Sequence, residues 1–358
     1  MVNIKGEEGK KMTVDDIKGY FYNEKMKEYF HEVKLYSLQF EINTACGQAC
    51  KFCYVRQTVP KGTQLTKEFI FTVLDQANEL GVQTIEWLGG DPVRHPNFWE
   101  FVEKAREFGM TNNIWSTGDL LTDSRIIDFL VDDETQGMVS FHLDTLDPKI
   151  YQQLSDTPPE FISKTLSNLE QLLEEGVPAN KLYNCMTFTK LQAGADFEKT
   201  VKTIYERFGI ISGIVPYKHV VDIPELLPLV PSSKDIFEAQ SFRSSLIYEG
   251  KLPVTPQCVS KYYCGTTCSL TVEKELTPCT RIRHALAKVE GKDFQGAFEK
   301  KKEQLLKEPL RDPENLSEDC RSCEYHPICW GCRGNAWYYG GDFLGEDPKC
   351  WHRKEGTK

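Results

Sequence analysis

Three cysteines fall within one short loop, Cys46-Gly-Gln-Ala-Cys50-Lys-Phe-Cys53. Three thiolates so spaced can ligate three irons of a cubane cluster and leave the fourth iron without a protein ligand. An open coordination position is what substrate chemistry on a metal requires. Zinc is the alternative, but structural zinc takes four closed ligands, and no nearby His or Cys supplies the fourth. The chain holds 13 cysteines. A second group follows the spacing Cys258-x5-Cys264-x3-Cys268-x10-Cys279, then Cys320-x2-Cys323-x5-Cys329-x2-Cys332-x17-Cys350. Clustered cysteines in a reducing compartment read as metal ligands rather than disulfides. The C-x2-C pairs also suit zinc ribbons, so this group fills two four-ligand sites of either kind, with one cysteine over.

Composition bounds the rest. The 358 residues allow one large domain and a smaller one, and 40% hydrophobic with 27% charged residues is ordinary for a globular protein. A formal net charge of −10 argues against a nucleic-acid partner bound by charge and would suit a basic peptide. The most apolar stretch, residues 210–230, carries Lys218, His219, Asp222 and Glu225 and is broken by Pro216, Pro224 and Pro228, so no membrane span is expected. The first residues lack the apolar core of a signal peptide, and the expected location is the cytoplasm.

The elements that must hold these residues alternate. Strands are expected at 35–42, 84–88, 113–116, 138–143, 182–188 and 213–217. Helices are expected at 66–80, 97–108, 123–131, 162–175 and 197–208, the first between the start signal Thr66 and the stop signal Gly81. Such repeats form a parallel sheet with crossover helices, as a barrel-like or a doubly wound sheet, and in both the ligands sit at the carboxyl ends of the strands. The cysteine loop and the Gly89-Gly90 turn follow strands and belong on one rim. The organisation expected is an N-terminal extension over 1–34, with a helix over 15–30 and no room for a separate peptide-binding domain. A strand–helix domain covers 35–235, a bridging helix and linker 236–257, and a cysteine-rich part 258–358. Residues 298–307, rich in Lys and Glu, read as a solvated helix.

The Cys46–Cys53 loop resembles the signature of the radical S-adenosylmethionine (SAM) superfamily. Gly89-Gly90-Asp91-Pro92 resembles that family's GGE-P turn, whose backbone and acidic side chain hold the amino group of SAM. Ser116-Thr117-Gly118 and the segment Ser140-Phe141-His142-Leu143-Asp144 stand where the family has its ribose and carboxylate contacts, with His142 where Ser is common and Thr145 in place of Gly. The resemblance covers about residues 35 to 220. It implies a partial (β/α)6 TIM-like barrel. It implies a [4Fe-4S] cluster on Cys46, Cys50 and Cys53, SAM bound by Gly89, Gly90, Asp91, Pro92, Ser116, His142 and Asp144, and an electron donor such as flavodoxin or ferredoxin. Reductive cleavage of SAM would yield a 5′-deoxyadenosyl radical that abstracts hydrogen from a substrate. Phe52 either packs near the adenine or belongs to the core.

The C-terminal cysteines resemble the SPASM extension of such enzymes, a small α+β domain for auxiliary clusters. Here the gap between Cys329 and Cys332 is one residue short, and Lys274 stands where a glycine is usual. Carried over, Cys258, Cys264, Cys279 and Cys332 would hold one auxiliary [4Fe-4S] cluster. Cys320, Cys323, Cys329 and Cys350 would hold the other, leaving Cys268 spare. The activity implied is modification of a ribosomally made peptide, with a tetrapyrrole (haem precursor) or other small molecule as the second substrate class. A non-enzymatic iron–sulfur carrier or zinc module is the remaining class. Cys185 reads as a small core residue, Glu86 and Trp87 as packing, and His219 as an unremarkable strand-end residue.

Overall fold

The structure is a computed structural model that describes residues 23–132, 137–220, 223–252, 254–256 and 259–352. The strands are β1 Ser37–Asn43, β2 Thr84–Gly89, β3 Thr111–Trp115, β4 Gly137–Phe141, β5 Leu182–Phe188 and β6 Ile211–Pro216, all parallel. They lie in the order β6-β5-β4-β3-β2-β1. A doubly wound sheet would reverse direction at a switch point. From β1 to β6 the order never does, so these six strands form a partial TIM-like barrel.

Alternation along each strand divides the barrel wall. On β1, Leu38, Phe40 and Ile42 are fully buried in the main apolar core. That core includes Phe69, Val73 and Leu74 of helix Lys67–Glu79, whose cap Thr66 accepts a hydrogen bond from the Phe69 amide. Ser37, Gln39 and Glu41 alternate with them and find polar partners instead. Ser37 donates to Glu86, Gln39 donates to Tyr263, and Glu41 pairs with Arg283. Trp87 belongs to the outer core, stacked on Phe40.

The cysteine-rich part continues the same sheet. Strand β7, Thr267–Leu270, runs parallel to β1 on its free edge, and the short strands β8 (Glu275–Thr277) and β9 (Ala287–Lys288) follow antiparallel. Helix Ser233–Tyr248 covers the opposite edge, where Arg243 donates to the Ser212 carbonyl of β6. The expected solvated helix is corrected. Residues 294–306 form two short helices, Phe294–Glu299 and Lys302–Leu305, with Phe294, Phe298, Leu305 and Leu306 buried in the main core and Lys307 wholly enclosed. Their apolar residues bury against the barrel helices, which outweighs the polar composition of the segment. The N-terminal helix is described only as Glu24–His31, and the earlier residues of its expected span lie outside the described ones. Among the described residues, no helix is long and apolar enough to cross a membrane.

Candidate active site

The cysteine loop leaves the carboxyl end of β1 and is pinned on both sides. Glycines let the end of β2 approach it. Gly90 donates to the Asn43 carbonyl at 2.8 Å and Asp91 to the Ala45 carbonyl at 2.6 Å. A Cβ on Gly90 would meet Ala45 O at 2.2 Å, and one on Gly89 (φ +135°) would meet Asn43 O at 2.3 Å. On the other side, the Lys51 amide donates to Leu154 O, the Ala49 amide donates to Thr157 Oγ1, and Gln48 reaches the His142 carbonyl. Cys46 lies within electrostatic reach of Cys50, Cys53 and Asp91. Burial first, then the neighbouring Cys50, pushes the Cys53 thiol up. A thiol whose pKa is raised does not ionise alone, whereas a bound metal favours the thiolate. The donor set therefore fits a metal cluster.

Asp91, Ser116 and Thr117 meet at the next two strand ends. Asp91 is fully buried; Ser116 Oγ and Thr117 Oγ1 each donate to its Oδ2 at 3.0 Å, and its Oδ1 accepts from the Val93 amide ahead of the short turn Pro92–Arg94. Burial raises the Asp91 carboxyl above its ordinary value, and the two hydroxyls offset only part of that. Both Asp91 oxygens are thus engaged within the protein. The carboxylate that lies against the loop is Asp119, which the sequence reading did not single out. Its Oδ1 lies 2.6 Å from Thr117 Oγ1, competing with Asp91 for the one hydroxyl hydrogen, and it pairs with Arg94. A Cβ on Gly47 would sit 2.4 Å from Asp119 Oδ2. The signal was a carboxylate one residue beyond a strand-end glycine.

At the end of β4, His142 Nε2 lies 3.0 Å from Asp144 Oδ2, and the other Asp144 oxygen accepts from the Thr187 amide at 2.7 Å. Burial alone would lower the His142 pKa, but the charge and hydrogen bond of Asp144, with hydrogen bonds to Cys185 and Cys50, raise it well above the ordinary value. Cys185 therefore touches the site rather than serving only as core. Phe52 is buried with Leu154, Tyr217, Leu226 and Leu229, its ring 6.1 Å from His142. His219 bonds locally to Ile223 O. In the barrel interior the buried Glu86 accepts from Ser37, Asn113 and Trp115, so it is more than packing. Beside it Arg283 crosses from the cysteine-rich part to Glu41 at 2.7 Å and lies over Tyr54, next to Cys53.

The later cysteines gather in two places. Cys279 and Cys332 both act electrostatically on Cys264, and burial pushes the Cys264 thiol up. Cys258 lies outside the described residues. Cys320, Cys323, Cys329 and Cys350 line one pocket together with His326, Asp347 and His352. Burial pushes Cys350 up to about 11. Gly331, at φ +70°, turns its amide onto Cys329 Sγ at 3.1 Å. The shortened loop thus still delivers Cys329 to one group and Cys332 to the other. Cys268 is wholly buried in the main apolar core. Among the described residues, no three His, Cys, Asp or Glu side chains gather closely enough for a single metal ion.

Comparison with known proteins agrees with this architecture. Residues 40–204 match the family model of the radical SAM superfamily. An AdoMet-dependent heme synthase from Methanosarcina barkeri is 23% identical over 88% of this chain and 96% of its own length. The S-adenosylmethionine-dependent nucleotide dehydratase of Flammeovirga pacifica is 35% identical, over 28% of this chain and 34% of its own. Among solved structures, Streptococcus suis SuiB bound to the precursor peptide SuiA superposes with a TM-score of 0.65 at 14% identity, covering 91% of this chain and 79% of that one. Native anSMEcpe with bound AdoMet and Cp18Cys peptide gives 0.61 at 16%, covering 84% and 89%. Residues 40–204 of the chain thus form a radical SAM domain, and the chain is an enzyme. That superfamily binds a [4Fe-4S] cluster and SAM.

Proposed function

We propose that the chain is a radical SAM/SPASM enzyme whose first cluster is held by Cys46, Cys50 and Cys53 and whose C-terminal cysteines hold two auxiliary clusters. The observation that carries this reading is the sorting of seven C-terminal cysteines into a group of three and a group of four. Cys258 would complete the first group. The cluster would supply the one electron that cleaves SAM, and the radical so formed would take a hydrogen atom from substrate.

The chain's own residues then have distinct tasks. Gly89, Gly90 and Pro92 shape the turn that would receive the amino acid end of SAM. Asp91 orients Ser116 and Thr117, and the Asp119–Arg94 pair sets the charge beside Gly47. Asp144 fixes the orientation of His142 toward the loop. Phe52, Leu154 and Tyr217 give the site an apolar wall that excludes water.

The substrate proposed is a ribosomally made peptide, in line with the peptides bound to SuiB and anSMEcpe. A haem precursor is the second reading, favoured by the full-length match to heme synthases. A flavodoxin or ferredoxin is the electron donor proposed, in the cytoplasm. The test is 5′-deoxyadenosine release by the reduced, reconstituted enzyme, with co-expressed short peptides and with an iron porphyrin. Peptide-dependent release with a mass change in the peptide is expected. Release that responds to the porphyrin alone would overturn the peptide assignment.

A further inference from the structure

We infer that the auxiliary site built on Cys264, Cys279 and Cys332 takes up an electron more readily than the site built on Cys320, Cys323, Cys329 and Cys350, because three cations are tied to the backbone of the first. The inference rests on the two-cluster reading above. Lys307 is wholly buried, and its nitrogen shares its three hydrogens among four carbonyls: Pro278 at 2.7 Å, Cys264 at 2.8 Å, Leu305 at 3.0 Å and Thr267 at 3.3 Å. Four acceptors around one nitrogen fit an ammonium, since a neutral amine would turn its lone pair on an oxygen. Arg311 donates to Gly265 O, Leu306 O and Phe30 O at 2.8 to 2.9 Å. Arg333, buried and next to Cys332, donates to Trp330, Phe343 and Gly345 carbonyls.

Among the described residues none of the three forms an ion pair with a carboxylate, unlike Arg283 or Arg94. Buried cations without a counter-charge are costly; Glu308 acts on Arg311, but among the described residues no carboxylate pairs with Lys307, so its placement calls for an anion beside it. A cluster with four thiolates is such an anion, and Lys307, Arg311 and Arg333 all act on Cys264. The other site has the opposite surroundings. Asp319, Glu346 and Asp347 line its pocket, and Glu324 acts on Cys323. Its own cations are Lys261 near Cys329 and Lys349, which acts on Asp347, against four carboxylates. Arg333 and Asp347 lie between the two sites and act on both, which leaves Lys307 and Arg311 as the charges peculiar to the first. Reduction adds negative charge to a cluster; nearby cations favour it and carboxylates oppose it.

The test is a potentiometric titration of the full-length, reconstituted protein followed by electron paramagnetic resonance. The double variant Cys320→Ala/Cys323→Ala, lacking the second site, is expected to keep the higher of the two auxiliary midpoints. Lys307→Met is expected to make reduction of that cluster at least about tenfold less favourable, a drop of about 59 mV, with the other midpoint unmoved. Arg311→Met, at the margin of the site, shifts it in the same direction and serves if Lys307→Met does not fold. Full iron content with inverted midpoints, or with neither variant moving the first midpoint, overturns the charge assignment. A wild-type content of about eight irons or fewer, instead of about twelve for three clusters, overturns the two-cluster reading instead.

Discussion

Gly90→Ala is the sharpest perturbation of the cysteine loop that leaves its ligands in place. The new Cβ would stand 2.2 Å from Ala45 O and 2.7 Å from the carbonyl carbons of Ala45 and Thr44, all backbone. Ordinary contact requires the ends of β1 and β2 to part by about 1 Å, because atoms at such distances are far up the repulsive wall. The hydrogen bonds from Gly90 to Asn43 and from Asp91 to Ala45 would stretch with them. Overpacking of this kind costs about 1–3 kcal/mol. Ala45 precedes Cys46, so the displacement falls on the loop and not on the distant cysteine groups. The expected result is a lowered melting temperature and a loss of about four irons of about twelve, the auxiliary irons staying. Gly109→Ala, with φ +72° and nothing within 4 Å, is the control for backbone strain alone and should keep every iron. Full iron content in Gly90→Ala, with melting equal to wild type, would refute the argument that this glycine holds the loop in register.

Other expectations follow from the polar networks. Arg283→Met leaves Glu41 buried and unpaired and should cost about 3–5 kcal/mol in urea unfolding, with Glu41→Gln/Arg283→Met recovering part of the loss. Asp91→Ala strands the Ser116 hydroxyl, Thr117 keeping Asp119, and should cost about 1–3 kcal/mol while weakening SAM binding measured by calorimetry. His142 has a raised pKa in the fold, so its contribution is complete below about pH 6.5 and is lost as pH climbs through the folded value. Melting temperatures taken stepwise upward from that pH should fall in wild type, and His142→Gln should lack that part of the fall.

Much of the barrel is written in local periodicity. Leu182–Phe188 coincides with its expected strand, and the caps Thr66 and Asp123 begin their helices because their oxygens take orphan amide hydrogens. The cysteine loop and glycine turn could be placed on one rim because both follow parallel strands. What escaped was non-local. Strand β7 is only four residues long and is stabilised by pairing with β1, more than 200 positions away. The helices after Phe294 were hidden by their Lys and Glu residues, although Phe294, Phe298, Leu305 and Leu306 carry the burial. Glu41 sits in an apolar strand, and its partner Arg283 lies in another part of the chain, so no spacing connects them. Asp119 becomes notable only when Gly47 is seen against it.

Iron, sulfide and zinc per chain, counted after anaerobic reconstitution, test the central claim most directly. Three [4Fe-4S] clusters predict about twelve irons with matching sulfide and no zinc. About four irons with bound zinc would contradict the account and make the C-terminal cysteines a structural zinc module.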